Sequence, residues 1–430
     1  MKNKYIAMSI GLLFLILCPL SPAQEASTIP EMTAGNFFGI GARAMGMGGA
    51  HIASVLDGSA LYYNPAALAK IRRIEMQAGI SHQSLDNQTD GISGFYSEGF
   101  GDISQNNTRL NCLNLSIPYP TYRGSLVFAF GLNRVKSFDQ AFRHVIPDEA
   151  DTDKTVYAEE SESGSLYALS AGAGIDISPK VSVGASLNYY FGKDDYYWDY
   201  REENIDTYIH FRDNIEDSYQ GISAKMGFLV TPGNRVKFGL TVESPVYYNI
   251  DEEFVQRTQS RGTNDDIQAG RYEYDLRTPF KLGAGIAVNL NYLQLSADIN
   301  YADWSQMEYQ DDPLLESENL YIDNFYRDAL GFSIGAEYLI PRVGLKLRAG
   351  FMSDPLPWDY GIDISTNRLA GRKVIDDRRF FTFGAGYLID RIMTLDIAVV
   401  FGGYKFEDVS TNIVEDYDLT RMYITTGFRL

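Results

Sequence analysis

Little in this chain is spaced for metal, phosphate or nucleophilic chemistry. The four histidines, His51, His82, His144 and His210, are too scattered to give one another a metal-ligand spacing. Asp148-Glu-Ala-Asp151-Thr-Asp153 concentrates carboxylates, but it lacks the turn glycine and distal glutamate of a calcium loop and reads as solvated acid. Gly39-x-Gly41 and Gly46-x-Gly48-Gly49 suggest a phosphate cradle. No buried strand precedes them and no Lys-Ser/Thr follows, so that reading fails. A hydrolase would need a Ser–His pair brought together from neighbouring strands, and nothing in the sequence points to one. No metal, cofactor or catalytic residue is expected. What remains is one unusual stretch. It runs Phe37-Phe38-Gly-Ile-Gly-Ala-Arg43-Ala-Met-Gly-Met-Gly-Gly-Ala50, and ends after Asp57 in Asn64-Pro65-Ala66-Ala67-Leu68. Pro65 has a fixed φ and no N–H, so with the small Ala66 it makes a rigid bend.

The elements that must hold this stretch are strands. In Val181-Ser-Val-Gly-Ala-Ser-Leu-Asn-Tyr-Tyr-Phe191 the odd positions are apolar, apart from the small Ala185, and the even ones are small or polar, apart from Tyr190. Successive side chains of a strand face opposite sides, so the segment has one oily face. Fourteen such segments follow one another between 74 and 430, and none reads as a membrane-spanning helix. Tight turns at 118–121, 178–180, 232–234, 289–291, 341–342 and 390–391 alternate with polar loops at 86–108, 139–162, 202–215, 257–270, 311–327, 357–377 and 409–417. Short turns on one side and long loops on the other are the signature of a transmembrane β-barrel, and an even strand count puts both ends on the short-turn, periplasmic side. Phe280, Leu282, Ala284, Ile286 and Val288 should meet lipid, while Gly283, Gly285 and Ala287 line the lumen. Aromatic clusters at strand ends, around Trp198 and from Tyr301 through Trp304 to Tyr309, are expected to form an interfacial belt.

Composition agrees. The chain has 430 residues, with 30 Tyr and 39 Gly, and a net charge of −19 that argues against nucleic acid as a partner. Acidic loops suit an outer surface where divalent cations are shared with lipopolysaccharide. Lys2 and Lys4, an apolar run from Tyr5 to Leu20 and Ser21-Pro22-Ala23 form a secretory signal, residues 1–23. Leu17 before Cys18 argues against a lipid-attachment site, and removal of the signal leaves Cys112 alone, without an intramolecular disulfide. The chain divides into the signal 1–23, a mainly helical segment 24–73 and a barrel 74–430. It ends Met422-Tyr-Ile-Thr-Thr-Gly-Phe428-Arg-Leu430, which looks like the terminal strand read by barrel-assembly machinery, with Leu in place of the commoner terminal Phe.

The Gly-x-Arg43-Ala-Met-Gly-Met-Gly-Gly-Ala50 run, Asp57 and Asn64-Pro65-Ala66 resemble the N-terminal hatch of the FadL/TodX family of outer-membrane transporters for long-chain fatty acids and other hydrophobic compounds. Thr278-Pro-Phe-Lys-Leu-Gly-Ala-Gly, Ser296-Ala-Asp-Ile-Asn-Tyr-Ala-Asp-Trp304-Ser305 and Leu347-Arg-Ala-Gly350-Phe351 extend the likeness over the mature chain. The resemblance implies a monomeric all-β membrane protein. Its fourteen-stranded antiparallel barrel would be plugged by the N-terminal hatch, with diffusive uptake of apolar ligands and a sideways exit into the bilayer. Carried onto this sequence, Asn64, Pro65 and Ala66 would seat the hatch against a break in the wall, and Gly131 among large residues would kink the third strand. Arg43 would meet a ligand carboxylate, the competing reading being an ion pair with Asp57 or a strand acid. Phe37, Phe38, Met45, Met47, Leu56 and Leu61 would line the apolar site, or simply pack the plug. Plugged barrels of type IX secretion share a similar opening. The rival function is therefore a protein-binding component of secretion or assembly.

Overall fold

A computed structural model describes residues 39–92, 98–122, 124–146, 155–204, 207–310, 313–363, 368–409 and 411–430. The signal segment, Phe37 and Phe38 lie outside the described residues. Fourteen strands close into one antiparallel barrel: β1 (Glu75–Ile92), β2 (Glu98–Tyr119), β3 (Leu126–Ser137, continued by Gln140–Ile146), β4 (Thr155–Ser178) and β5 (Val181–Glu203). β6 (Tyr208–Val230), β7 (Val236–Glu243 and Tyr247–Ser260), β8 (Asp266–Arg277 and Lys281–Leu290) and β9 (Leu293–Asp303 and Glu308–Gln310) follow. β10 (Asp328–Ile340), β11 (Leu345–Asp354), β12 (Arg372–Ile389), β13 (Met393–Asp408) and β14 (Ile413–Arg429) complete the wall. β14 pairs with β1 from Glu75↔Arg429 to Gly91↔Ile413, which removes the sheet edge and satisfies the backbone where water is absent. Among the described residues no helix is long and apolar enough to cross a membrane; the crossing is made by strands.

The two faces separate as the alternation requires. Leu282, Ile286, Leu187, Phe228, Ile334 and Ile424 are exposed on the outer wall, whereas Ala287, Ser182, Ser186 and Thr382 are buried inside. Five of the seven expected long loops turn out to be continuations of strands. β4, β5 and β6 run for 24, 23 and 23 residues, against the ten or so that a bilayer needs. Beyond the bilayer neither face needs to be oily, so the apolar alternation stops while the backbone ladder continues. The loop at 311–327 holds the longest helix among the described residues, α3 (Glu316–Phe325), and the loop at 357–377 a small hairpin pairing Gly361–Asp363 with Arg368–Ala370. The aromatic belt is also corrected in part. Tyr301 faces outward, but Trp198, Trp304 and Tyr309 are buried in the interior.

The hatch fills the short-turn half of the lumen. Its short helices α1 (Ala42–Met45) and α2 (Ala60–Tyr63) and a 3-10 turn at Pro65–Lys70 bury nearly every residue. Gly48 and Gly49 turn the chain at φ of 65° and 77°, backbone angles that side chains other than glycine rarely adopt.

Candidate functional site

The lumen-facing glycines explain how a plug fits inside a fourteen-stranded wall. Gly174, Gly184 and Gly227 are direct cross-strand neighbours on β4, β5 and β6. A Cβ on Gly184 or Gly227 would collide with Pro65 or Asn64, so this bald row is the seat of the Asn64-Pro65-Ala66 element. Asn64 donates from Nδ2 to the carbonyls of Ile52 (2.9 Å) and Phe228 (3.2 Å), and its Oδ1 accepts from the N–H of Ala66 (3.1 Å). With Pro65 at the first position, the motif is an N-cap that also fastens the hatch to β6. The wall behind it is an unbroken ladder, not the break that the sequence reading expected.

Arg43 is held by carboxylates of the wall and hatch. Its Nε donates to Glu337 (3.1 Å) and its Nη1 lies 3.7 Å from Asp57. Glu337 also receives Arg348 (2.8 Å) and Lys346 (3.0 Å), and Arg348 reaches Asp396 (2.7 Å). This charge network sits at the short-turn end of β10, β11 and β13 and ties the hatch to them. Asp57 and the strand acid Glu337 are the partners that the competing ion-pair reading of Arg43 names. The expected apolar lining is redistributed in the same way. Met45 packs on Phe380 and Met352 of the wall, Met47 lies over Gly335 and Gly350, and Leu61 packs with Leu68 and Leu229 into the notch left by Gly131 and Gly172. Leu56 is 39% exposed. None of these four borders the internal cavity.

That cavity, about 260 Å³, lies above the hatch toward the long-loop end. Tyr62 and Tyr63 of the hatch form its floor, and Tyr190, Tyr248 and Trp304 project from the wall. Phe138 stacked on Tyr219 (centroids 5.0 Å), with Ile250, Tyr274 and Tyr309, roofs it over. Lys136, Asp298, Asn300 and Asp354 also border it. Lys225 pairs with Glu243 (3.0 Å) and donates to the carbonyl of Tyr62 (2.8 Å), and the Tyr190 hydroxyl donates to Glu243 (3.0 Å). Lys281 stands 5.7 Å from the centroid of the Trp304 ring and forms no ion pair among the described residues. Sequence reasoning missed these groups, although one signal was available. Tyr190 interrupts the small and polar even positions of Val181–Phe191, so it is placed to meet contents rather than lipid.

Above the roof, Asp194, Asp217 and Glu252 face one another across β5, β6 and β7. Burial, then the carboxylates of Glu252 and Asp194, push Asp217 up to about 8.

The third strand does leave the wall, but not at Gly131, which is paired on both sides. The β2–β3 ladder stops two residues later at Cys112↔Asn133 and returns only as Phe100↔Val145, after a bulge between Arg134 and Lys136. Asn87 and Thr89 of β1 hold the displaced strand inside the barrel through the carbonyls of Ala141 and Arg143. The resulting seam is filled by Arg109 (2.8 Å) and Arg134 (3.0 Å), both on Asp139. A Ser–His pair also exists, Ser54 Oγ 2.9 Å from His51 Nδ1, but both residues are wholly buried in the hatch and the serine donates to the Ala50 carbonyl.

Comparison with known proteins places this architecture. A family model described as BamG matches residues 6–345. No curated protein matches significantly. Solved barrels do. A Pseudomonas aeruginosa FadL homologue matches with a TM-score of 0.60 at 13% identity, over 92% of this chain and 100% of that one. The Pseudomonas putida toluene transporter TodX matches at 0.61 and 14%, over 92% and 100%. The Ralstonia pickettii toluene transporter TbuX matches at 0.59 and 13%, over 92% and 99%. At such identities the likeness is one of fold. The chain belongs to the BamG family and is built on the fourteen-stranded, hatch-filled barrel fold of the FadL-type channels.

Proposed function

We propose that the protein is an outer-membrane channel for small, predominantly apolar molecules, held in the cavity between the hatch and the aromatic roof. That cavity carries the reading: Tyr62, Tyr63, Tyr190, Tyr248 and Trp304 border it, together with the Lys225–Glu243 ion pair and the ammonium of Lys281 over the Trp304 ring. An apolar cavity of about 150 Å³ is enough to take up benzene. At about 260 Å³ this one has room for a one-ring molecule. Exposing apolar surface to water costs about 0.8 kcal/mol per methylene, so a greasy chamber opening sideways into the bilayer moves such ligands better than an aqueous pore. Transport is then diffusive, with the short-turn end and both termini periplasmic and the tall strands outside among lipopolysaccharide. The barrel works as a monomer without catalysis. The solved TodX and TbuX barrels are toluene transporters, which supports an aromatic ligand. The test is toluene binding to the purified barrel in mild detergent, followed by native mass spectrometry. Toluene should bind and be lost in Leu166→Trp, which fills the chamber; a folded wild-type barrel that takes up no toluene would refute the reading.

A second reading, a protein-binding barrel of secretion or assembly, is favoured by one observation. The upper part of β8, residues 266–274, pairs with β7 on one side and has no strand partner on the other among the described residues. Such an edge accepts a strand from another chain. Co-purification of an envelope protein, abolished by Gln268→Pro while toluene binding persists, would favour this role.

A further inference from the structure

We infer that ligands pass between the cavity and the bilayer through the wall at β8–β9, continued at β10–β11, and not through the β2–β3 seam. The inference rests on the transport reading and names its route. The β8–β9 ladder runs up to Lys281↔Ala302 and resumes only at Arg277↔Glu308. In between, residues 278–280 face 303–307. Pro279 has no N–H to offer. On the other side the chain winds into the 3-10 turn Trp304–Gln306, with Asp303 accepting from the N–H of Ser305 (3.3 Å) and Met307 N–H donating to the Trp304 carbonyl (3.1 Å). Ser305 and Met307 N–H are thus satisfied within their own turn, while the N–H groups of Thr278 and Trp304 bond away from the gap, to the carbonyls of Val246 and Arg327. Two strands further on the same happens. The β10–β11 ladder reaches no higher than Phe332↔Ser353, and the chains meet again at Arg327 N–H to the Pro357 carbonyl (2.9 Å).

The cavity lining shows that these gaps lead somewhere. It includes the inward residues Gly283, Asn300 and Gly331 and also their outward neighbours Leu282, Tyr301 and Phe332. Consecutive strand residues point to opposite faces, so a cavity bordered by both members of such a pair reaches through the sheet. Leu282, Tyr301 and Phe332 are all more than a third exposed on the outer wall. The gap begins about ten residues above the short turns. At about 3.3 Å per residue and a tilt near 40°, that is about 25 Å, the top of the apolar band and the headgroup level. Its sill is therefore apolar and aromatic outside and carries Lys281 beside Trp304 inside, the order in which an apolar molecule with one polar group would meet them. The β10–β11 end holds one ion pair, Arg378 on Asp354 (3.0 Å), and the β2–β3 seam is more deeply charged. Arg134 and Asp139 have side chains only 1% exposed, and an apolar ligand crossing there would have to separate buried charges.

The test uses the full-length barrel in lipid nanodiscs, with toluene as ligand and a bulky maleimide as plug on Leu282→Cys or Tyr301→Cys; Leu295→Cys, outward on β9 away from the gap, is the control. Cys112 is buried and remains unlabelled. Labelling at 282 or 301 should slow toluene exchange at least tenfold, leave its equilibrium occupancy unchanged and have no counterpart at 295. Binding with unaltered exchange in the labelled variants overturns the window alone, and arrest of exchange by an Arg109→Cys/Asp139→Cys cross-link would then place the route at the seam. Absence of toluene binding in the unlabelled barrel overturns the transport reading and the window with it.

Discussion

Replacing Arg43 by Ala separates its two competing roles. If the guanidinium anchors the hatch, its loss removes the 3.1 Å bond to Glu337 and the 3.7 Å pairing with Asp57. Breaking a buried ion pair by deleting one partner costs about 3–5 kcal/mol when the other charge is left alone. Here Glu337 keeps Arg348 and Lys346, and Asp57 keeps the Ser59 hydroxyl and N–H, so the expected cost is smaller, about 2 kcal/mol. Arg348→Ala is the harsher control, because Arg348 is the one ion-pair partner of Asp396 among the described residues; about 3–5 kcal/mol is expected there. The loss should fall on the hatch rather than on the closed wall. Hydrogen exchange of hatch amides in detergent is the assay: protection over residues 42–70 drops by about 30-fold for a 2 kcal/mol loss while the strand amides keep theirs, and toluene affinity is unchanged because Arg43 does not border the cavity. Unaltered hatch protection combined with a tenfold or greater loss of ligand affinity would refute the reasoning and return Arg43 to the ligand.

Three further perturbations test other parts of the architecture. Gly184→Val places side-chain atoms where the Pro65 carbonyl lies, so the hatch should fail to seat and the barrel should leak ions in planar bilayers; a tight, fully closed variant would show that the glycine row is not the seat. Asn64→Ala removes the hydrogen bonds to the buried Ile52 carbonyl, the part-buried Phe228 carbonyl and the Ala66 N–H, at a cost of about 2–3 kcal/mol in urea unfolding, and a loss under 0.5 kcal/mol would mean that the cap is dispensable. Asp217, raised by burial and then by Glu252 and Asp194, stabilises the fold below the ordinary carboxylate range, and that contribution is lost as pH rises through about 8. The urea midpoint of the wild type should therefore fall between about pH 5 and 9 and that of Asp217→Asn should be flatter; parallel curves would exclude this carboxyl as the cause.

Much of this was written locally. A strand pressed between lipid and lumen must alternate, so Val181–Phe191 or Phe280–Val288 disclosed both its conformation and which face is oily. The hatch was legible because its glycines and Asn-Pro-Ala contradict that alternation. Above the bilayer the signal failed: residues 86–92 and 98–108 are polar on both sides, and only the ladder with their neighbours shows them to be strand. The inner aromatics around Trp304 read as a membrane belt because the sequence alone does not say which way an aromatic at a strand end faces.

By itself, then, the sequence determined the barrel, its strand number, its lipid face and the segment that fills it, because each depends on residue type at a period of two. Tertiary structure decided what each lumenal side chain meets. Arg43 finds Glu337 across 294 residues of chain, and the gap between 278–280 and 303–307 exists only because two strands abandon each other at the same height. Such partnerships are set by register and by the closure of the wall. These are properties of pairs of strands, and no single segment encodes them.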